Sequence, residues 1–170
     1  RHLDAVKRVE DLEQYHRSTA QTIIGSDAHP ELNAFLEVHF EELRKVIEDL
    51  VTTNELTPQL SDAITSFGER LSSYVVTLTL RSAGLKTVLL DSRDILVTDD
   101  RFTQAGLKSD ITRRRMRDTI PHLHLENDAV VMGGFIAATE DGVTTTLGRG
   151  GSDFSAAIVG AALDATEIQI

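Results

Sequence analysis

The sequence predicts an α/β fold in which a helical N-terminal half precedes a mainly parallel sheet. Apolar residues recur at helical spacing from the start of the chain to about Gly84, and short apolar runs that alternate with helical patterns follow. Such strand–helix–strand alternation is typical of a parallel sheet with helices on its faces. With 170 residues, 41% of them hydrophobic, the chain is large enough for one domain with its own core.

The N-terminal half contains three predicted helices. The first begins with the chain and ends near Gly25, in a turn over residues 25–30. The third begins at Thr57-Pro58, because proline is favoured in the first helical turn, and ends at Gly84. Short polar turns join the helices and favour antiparallel neighbours. The apolar stripes comprise Leu3, Val6, Val9 and Leu12, then Leu32, Leu36, Leu43, Val46, Ile47 and Leu50, then Leu60, Ile64, Phe67, Leu71, Val75 and Leu78.

The second half alternates strands and helices. Strands are predicted at residues 87–90, 129–137 and from Glu167 onward, and helices at 109–123 and 153–165. The sequence T-E-D-G at 139–142 predicts a hairpin turn, so we expect a small antiparallel pair at the sheet edge. Sheets of this kind bind ligands beyond the carboxyl ends of their strands, where Phe135 and Arg149 both fall.

Residues 144–153, T-T-T-L-G-R-G-G-S-D, form the most distinctive segment. An extended run of threonines leads into a glycine-rich turn and then into a small apolar helix. Such a turn directs several backbone N–H groups at one point, which suits an anion. Arg149 within it can bind a carboxylate or phosphate through two parallel hydrogen bonds. From these residues alone, a purely structural strand-to-helix turn remains the alternative.

Composition excludes several classes of function. The net charge of −10 argues against nucleic acid or an anionic membrane as partner. There is no cysteine for disulfides or thiolate sites, and the six histidines show no metal-ligand spacing, so we expect no protein-bound metal. No apolar run approaches the roughly 20 residues that span a bilayer, and we expect a cytoplasmic protein. The basic run at 113–117 is interpreted as a solvated, charge-balancing face, with a nucleic-acid patch as the alternative.

The glycine-rich segment resembles the T-T-L-G-R-G-G-S-D-[YF]-[ST]-A-A signature of aspartate kinases, which belong to the amino-acid kinase superfamily. Two further stretches agree with this family in the expected order. Residues 66–72, S-F-G-E-R-L-S, resemble its S-x-G-E-x-[LM]-S segment, and residues 131–136, V-M-G-G-F-I, resemble its V-x-x-G-F-[IT] segment. The resemblance extends from about Glu31 to Ile170 and implies the three-layer, carbamate-kinase-like fold of the superfamily.

The resemblance implies transfer of the γ-phosphoryl group of ATP to the side-chain carboxylate of L-aspartate. The product is 4-phospho-L-aspartate, in the biosynthesis of lysine, threonine and methionine. This nucleophile has a reference pKa of about 3.9 and needs no general base, so alignment and charge neutralisation suffice, with Mg²⁺ bound through the nucleotide. We expect the parent protein to be a homo-oligomer.

The resemblance also assigns residues. Glu69 would bind the ammonium group of aspartate; without the family, a solvated glutamate on an amphipathic helix is the simpler interpretation. Gly68 beside it costs about 1 kcal/mol in a helix interior, and close approach of a ligand or of neighbouring backbone would explain that cost. Small hydroxyls flank Glu69 on its helix strip at Ser66, Ser72 and Ser73. Arg149 would clamp the α-carboxylate, with hydrogen-bond donors from Gly150, Gly151 and Ser152.

Two residues carry an alternative role each. Phe135 would form a wall of the substrate pocket, or it is a core aromatic at a strand end. Asp153 would act in catalysis together with Arg149 by organising a phosphate-site lysine, or it merely caps its helix.

The lysine of the family lies in a K-F-G-G-T-S segment that is not among these 170 residues, and neither are the W-T-D-V-x-G segment or the regulatory ACT domains. We therefore expect residues 1–170 to be an internal part of the catalytic domain, inactive alone. A non-catalytic module that only folds or self-associates is the alternative function.

Overall fold

The computed structural model describes residues 2–25 and 30–170. Most of the predicted turn at 25–30 and the side chain of Leu3 lie outside the described residues. The helices are α1 (His2–Ile24), α2 (Pro30–Thr53), α3 (Pro58–Ser82), α4 (Ser92–Ile95), α5 (Ser109–Glu126) and α6 (Gly151–Ala162). The strands are β1 (Thr87–Leu90), β2 (Val97–Thr98), β3 (Ala129–Met132), β4 (Ile136–Thr139) and β5 (Thr144–Thr146).

The three long helices of the N-terminal half pack against one another around a shared core. Leu36 and Phe40 of α2 are fully buried, and Leu71 of α3 is nearly so. Full burial of such side chains contributes roughly 1.5–3 kcal/mol each, so the apolar stripes account for this half of the fold. The predicted start of α3 is confirmed, because the Thr57 side chain accepts a hydrogen bond from the N–H of Leu60 at 3.1 Å.

The predicted parallel pairing is confirmed, although it occurs in two small sheets. Strand β1 pairs in parallel with β3, in register from Thr87 and Ala129 to Leu90 and Met132. The second sheet has the order β2-β4-β5, with β2 and β4 parallel and β4 and β5 antiparallel. The predicted hairpin is therefore present as β4–β5.

Two predicted strands differ from the structure. The expected strand over 129–137 is broken after Met132, because Phe135 has a φ of +68°, which ends the extended backbone. The expected strand from Glu167 is absent, since residues 167–170 are irregular. The Ile168 side chain packs against Gly160 of α6 instead, and it stays partly exposed.

Helix α3 connects the two halves of the molecule. It contacts α1 and α2 on one side and β1, β3 and β5 on the other. A second core lies between the sheets, α5 and α6, and includes the fully buried Leu96 and Met116. Across the part of the chain that the structure describes, no helix is both long and apolar enough to cross a membrane.

The basic run of α5 has a structural use. Arg113 and Arg114 are exposed, whereas Arg115 donates to the carbonyl of Asp94 at 2.8 Å and Arg117 to that of Ala162 at 2.7 Å. Both carbonyls lie at helix ends, where arginine neutralises the partial negative charge. This arrangement agrees with a charge-balancing face.

Candidate functional site

The loop between β5 and α6 is a tight, glycine-dependent turn. Gly148 and Gly150 have φ values of +75° and +77°, in the left-handed region that side chains rarely adopt. The N–H of Gly151 donates to the carbonyl of Gly148 at 3.0 Å and closes the turn. The next N–H groups, of Ser152 and Asp153, begin the helix and have no partner within it. The turn thus presents backbone donors at the positive end of α6.

Arg149 and Asp153 extend from this turn. Both are exposed, and neither side chain forms an ion pair or hydrogen bond with any residue that the structure describes. The interpretation of Asp153 as an N-cap is wrong, because Gly150 occupies the cap position and Asp153 lies within the first turn. A carboxylate there still stabilises the helix through its dipole. The guanidinium of Arg149 therefore remains available to an external anion.

Phe135 lies opposite the turn in a strained backbone conformation. Its φ of +68° is costly for an aromatic residue, by roughly 1–3 kcal/mol, and must be enforced by its surroundings. Its N–H donates to the hydroxyl of Ser155 at 3.0 Å, and its carbonyl accepts from the N–H of Leu147 at 2.9 Å. The Ser155 hydroxyl donates in turn to the carbonyl of Gly151 at 2.7 Å. Phe135 is thereby bonded to both ends of the glycine-rich turn.

A cleft of about 400 Å³ opens between the turn and the N-terminal part of α3. A volume of this order suits a small-molecule ligand. The structure brings six of the seven predicted site residues together in its lining: Phe135, Arg149, Gly150, Gly151, Ser152 and Asp153. The remaining lining residues are Ser61, Asp62, Thr65, Thr103, Thr146 and Gly148.

Glu69 lies in an adjoining cleft of about 490 Å³, and Ser152 lines both clefts. The Glu69 carboxylate is half-buried and forms no hydrogen bond with the described residues. Burial without a partner raises the pKa of Glu69 above its ordinary value. A cationic group placed there would reverse this penalty, which is the property expected of an ammonium-binding carboxylate.

Two glycines between β3 and β4 allow close packing beside Glu69 and Ser152. A Cβ on Gly133 would lie 2.9 Å from the hydroxyl oxygen of Ser73 and 3.4 Å from the Cβ of Glu69. A Cβ on Gly134 would lie 2.9 Å from the Cα of Ser152. The turn between β3 and β4 therefore fits tightly between α3 and the start of α6, and only glycine permits this spacing.

The strip around Glu69 differs in detail from the prediction. The hydroxyl of Ser72 donates to the carbonyl of Glu69 at 3.2 Å, and that of Ser73 donates to the same carbonyl. These hydroxyls are engaged with the helix backbone rather than with the carboxylate. A Cβ on Gly68 would meet nothing within 4 Å, so close approach of neighbouring backbone does not explain this glycine.

Sequence reasoning missed Asp62 and Thr103. Asp62 lies on the same helical strip as Ser66 and Glu69, four and seven residues before them, and this strip of small and polar residues faces the sheets. This spacing of polar residues along one strip of α3 is the signal by which Asp62 could have been found. Thr103 lies in the irregular segment between β2 and α5, where no periodicity exists to mark it.

The described residues contain no group of three or more histidine, aspartate or glutamate side chains placed to hold a metal ion. Among these residues, the site consists of backbone donors, the unpaired guanidinium of Arg149 and the unpaired carboxylates of Glu69 and Asp153.

The sequence matches the amino acid kinase family over residues 6–170. The chain belongs to the amino acid kinase family. Within this family its relatives include aspartokinase 1 of Bacillus subtilis, which is 40% identical over 116 residues, covering 68% of this chain and 28% of the relative. The lysine-sensitive aspartokinase 3 of Escherichia coli is 33% identical over 136 residues, covering 76% and 30%.

Solved structures of amino acid kinases agree with this fold. Escherichia coli aspartokinase III in complex with aspartate and ADP superposes with a TM-score of 0.83 at 25% identity, covering 95% of this chain and 35% of that one. The same enzyme with lysine and aspartate gives a TM-score of 0.75 at 28% identity, covering 81% and 30%. The chain thus spans less than a third of the length of aspartokinase 1 of Bacillus subtilis and of aspartokinase 3 of Escherichia coli.

Proposed function

We propose that the complete protein containing these residues is an aspartate kinase, and that residues 1–170 supply its amino-acid site as part of the catalytic domain. The observation that carries the proposal is the meeting of the unpaired Arg149 guanidinium, the N–H groups that start α6 and the unpaired Glu69 carboxylate around Ser152. These groups complement the α-carboxylate and the ammonium group of an amino acid. The aspartokinase relatives support this choice of substrate.

The substrate is held through the two charged groups on its α-carbon. Arg149 and the donors of Gly150, Gly151 and Ser152 bind the α-carboxylate, while Glu69 binds the ammonium group. Both pairings place opposite charges in a partly desolvated cleft, where each contact contributes more binding free energy than it would in bulk water. Phe135 forms the wall against which the carbon chain lies and limits access of water to the reacting carboxylate.

The reaction is an in-line displacement at phosphorus. An oxygen of the substrate's side-chain carboxylate attacks the γ-phosphorus of ATP, the bond to the bridging oxygen of the β-phosphate breaks, and ADP leaves. The carboxylate is already ionised at neutral pH, so no residue of the chain has to accept a proton. The contribution of the cleft is orientation of the acceptor. Asp153, which lines the same cleft at the start of α6, would organise the phosphate-site lysine of the family.

The wider expectations belong to the same proposal. ATP would be the phosphoryl donor, with Mg²⁺ bound through its phosphates supplying charge neutralisation. The reaction would belong to the biosynthesis of lysine, threonine and methionine and would take place in the cytoplasm. The complete protein would be a homo-oligomer. The complex of Escherichia coli aspartokinase III with aspartate and ADP supports the choice of nucleotide.

Trapping with hydroxylamine tests the proposal, because hydroxylamine converts an acyl phosphate to a coloured hydroxamate. The complete protein is incubated with ATP, Mg²⁺ and L-aspartate, L-glutamate or succinate, which lacks the ammonium group. We expect hydroxamate with L-aspartate and little with succinate. Glu69→Gln should lose this preference for aspartate, whereas Glu55→Gln, an exposed matched control, should keep it. No hydroxamate above the blank without acceptor would contradict the proposal.

A further inference from the structure

A buried carboxylate at the start of α3 has no role in the proposed chemistry. Asp62 is 1% exposed, and no basic side chain pairs with it among the residues that the structure describes. It accepts three hydrogen bonds instead: from the N–H of Thr103 at 2.8 Å, from the N–H of Thr146 at 3.0 Å and from the hydroxyl of Thr146 at 2.7 Å. A buried carboxyl group without hydrogen-bond partners is costly, so these three donors stabilise Asp62 in its buried position.

The donors belong to two separate segments that line the cleft. Thr146 ends β5 and directly precedes the glycine-rich turn. Thr103 lies between β2 and α5, more than 40 residues earlier in the sequence. The N–H of Ala105 also donates to the carbonyl of Thr146 at 2.9 Å, so the two segments run side by side. A single carboxylate from α3 thus joins both segments to the helix that carries Glu69.

Thr103 has a backbone conformation that needs such support. Its φ of +69° is an outlier for a β-branched residue, which pays for it in steric strain. Its carbonyl oxygen lies only 3.0 Å from where a Cβ of Gly148 would stand. The strained backbone of Thr103 is therefore packed against Gly148, at the base of the glycine-rich turn.

We propose that Asp62 is a positioning residue that fixes the Arg149-bearing turn relative to Glu69 by holding Thr103 and Thr146. Its effect on substrate affinity rests on the proposed function, whereas its effect on the two segments does not. The hydrogen-bond pattern predicts which substitution of Asp62 preserves the position of the two segments. Asparagine can accept both N–H bonds with its amide oxygen and donate to the hydroxyl of Thr146, whereas alanine leaves the buried N–H of Thr146 and the part-buried N–H of Thr103 without this partner.

The experiment compares Asp62→Ala and Asp62→Asn in the complete protein by amide hydrogen exchange and by hydroxamate kinetics. In Asp62→Ala we expect faster exchange in residues 101–106 and 146–151, and a KM for aspartate raised about tenfold or more, with a smaller change in kcat. Asp62→Asn should remain within about threefold of the wild-type KM. Thr146→Val, which removes only the hydroxyl contact, should raise the KM by less than Asp62→Ala does and provides a milder variant if alanine prevents folding.

Thr112→Val is the matched control. The Thr112 hydroxyl is buried and accepts from the N–H of Val97 at 3.0 Å, outside both clefts. This variant should lower the melting temperature and leave the KM for aspartate unchanged, so loss of stability alone is distinguished from loss of position.

Wild-type exchange and wild-type KM in Asp62→Ala would overturn the inference, and so would an Asp62→Asn defect as large as that of alanine. If the wild-type protein forms no hydroxamate, the proposed function fails. The exchange rates of residues 101–106 and 146–151 then decide the inference about Asp62 by themselves.

Discussion

Replacement of Gly134 by alanine tests whether the close packing between the β3–β4 turn and α6 sets the substrate site. The added Cβ would lie 2.9 Å from the Cα of Ser152 and 3.0 Å from its Cβ. Both neighbours are backbone or directly attached to it, so neither can rotate away. The backbone of Gly134 itself is not in the left-handed region, so the alanine causes no conformational strain of its own.

The size of the effect follows from these distances. An ordinary carbon–carbon contact is about 3.5 Å or longer, so the start of α6 must move by roughly 0.6 Å. Overpacking of this kind costs about 1–3 kcal/mol of stability. A displacement approaching 1 Å in a positioning group can reduce catalytic efficiency by about 100-fold, and we expect a loss of kcat/KM for aspartate between about 10-fold and 100-fold.

The assay is aspartate titration of hydroxamate formation, run beside thermal unfolding. Gly142→Ala serves as the matched control, because its φ of +81° makes alanine cost about 1–2 kcal/mol, while its Cβ meets nothing within 4 Å. Both variants should therefore be destabilised, and only Gly134→Ala should lose kcat/KM. Equal kinetic losses in the two variants, or wild-type kinetics in Gly134→Ala, would refute the reasoning.

Substitutions at three further positions have defined expected outcomes. Arg149→Ala removes a charged hydrogen-bonded contact worth about 1.5–3 kcal/mol, so the KM for aspartate should rise about 10-fold to 150-fold. Arg149→Lys should restore little of this affinity, since the lysine ammonium group lacks the planar, two-pronged geometry of a guanidinium. Unchanged KM values in both variants would contradict the role of Arg149 in binding the α-carboxylate. Burial raises the pKa of Glu69 in the folded protein above its value in the unfolded chain. Ionisation of Glu69 therefore destabilises the folded state as the pH rises from the unfolded-state pKa through the folded-state pKa. Glu69→Gln should have a higher melting temperature than the wild type at neutral pH and the same melting temperature at low pH. In the wild type, calorimetric affinity for aspartate should fall as pH drops through that raised pKa, and a flat profile would argue against an ammonium contact at Glu69. Gly68→Ala should raise the free energy of unfolding by about 0.5–1 kcal/mol, since it is a helix-interior glycine with open space around its Cα; denaturant titration measures this, and a loss of stability would contradict it.

The helices and the parallel pairing were predictable because their signals are periodic and local. The stripe through Phe67 and Leu71 marks a helix face, and Thr57-Pro58 is a local helix-start signal that the structure confirms. The break at Phe135 was not predictable in the same way. An apolar run shows hydrophobicity, whereas the positive φ that ends the strand depends on hydrogen bonds to Ser155 and Leu147 from other elements.

The candidate site was predictable where a motif is contiguous and not where its parts are dispersed. Residues 149–153 form one loop whose geometry follows from its glycines. Asp62, by contrast, is anchored to Thr103 and Thr146, which are 41 and 84 residues away along the chain. A strand from Glu167 was expected, yet residues 167–170 are irregular: the Ile168 side chain contacts Gly160 of α6, and Ile170 is exposed.

The most direct test of the site is a crystal structure of the complete protein with L-aspartate bound. We expect the ammonium nitrogen within about 3.2 Å of a carboxylate oxygen of Glu69, and the α-carboxylate on the guanidinium of Arg149 and the N–H groups at the start of α6. The carbon chain should lie against the ring of Phe135, beside Ser152. Aspartate bound away from both clefts, or bound with its ammonium group directed at Arg149 and its carboxylates at Glu69, would contradict the assignment.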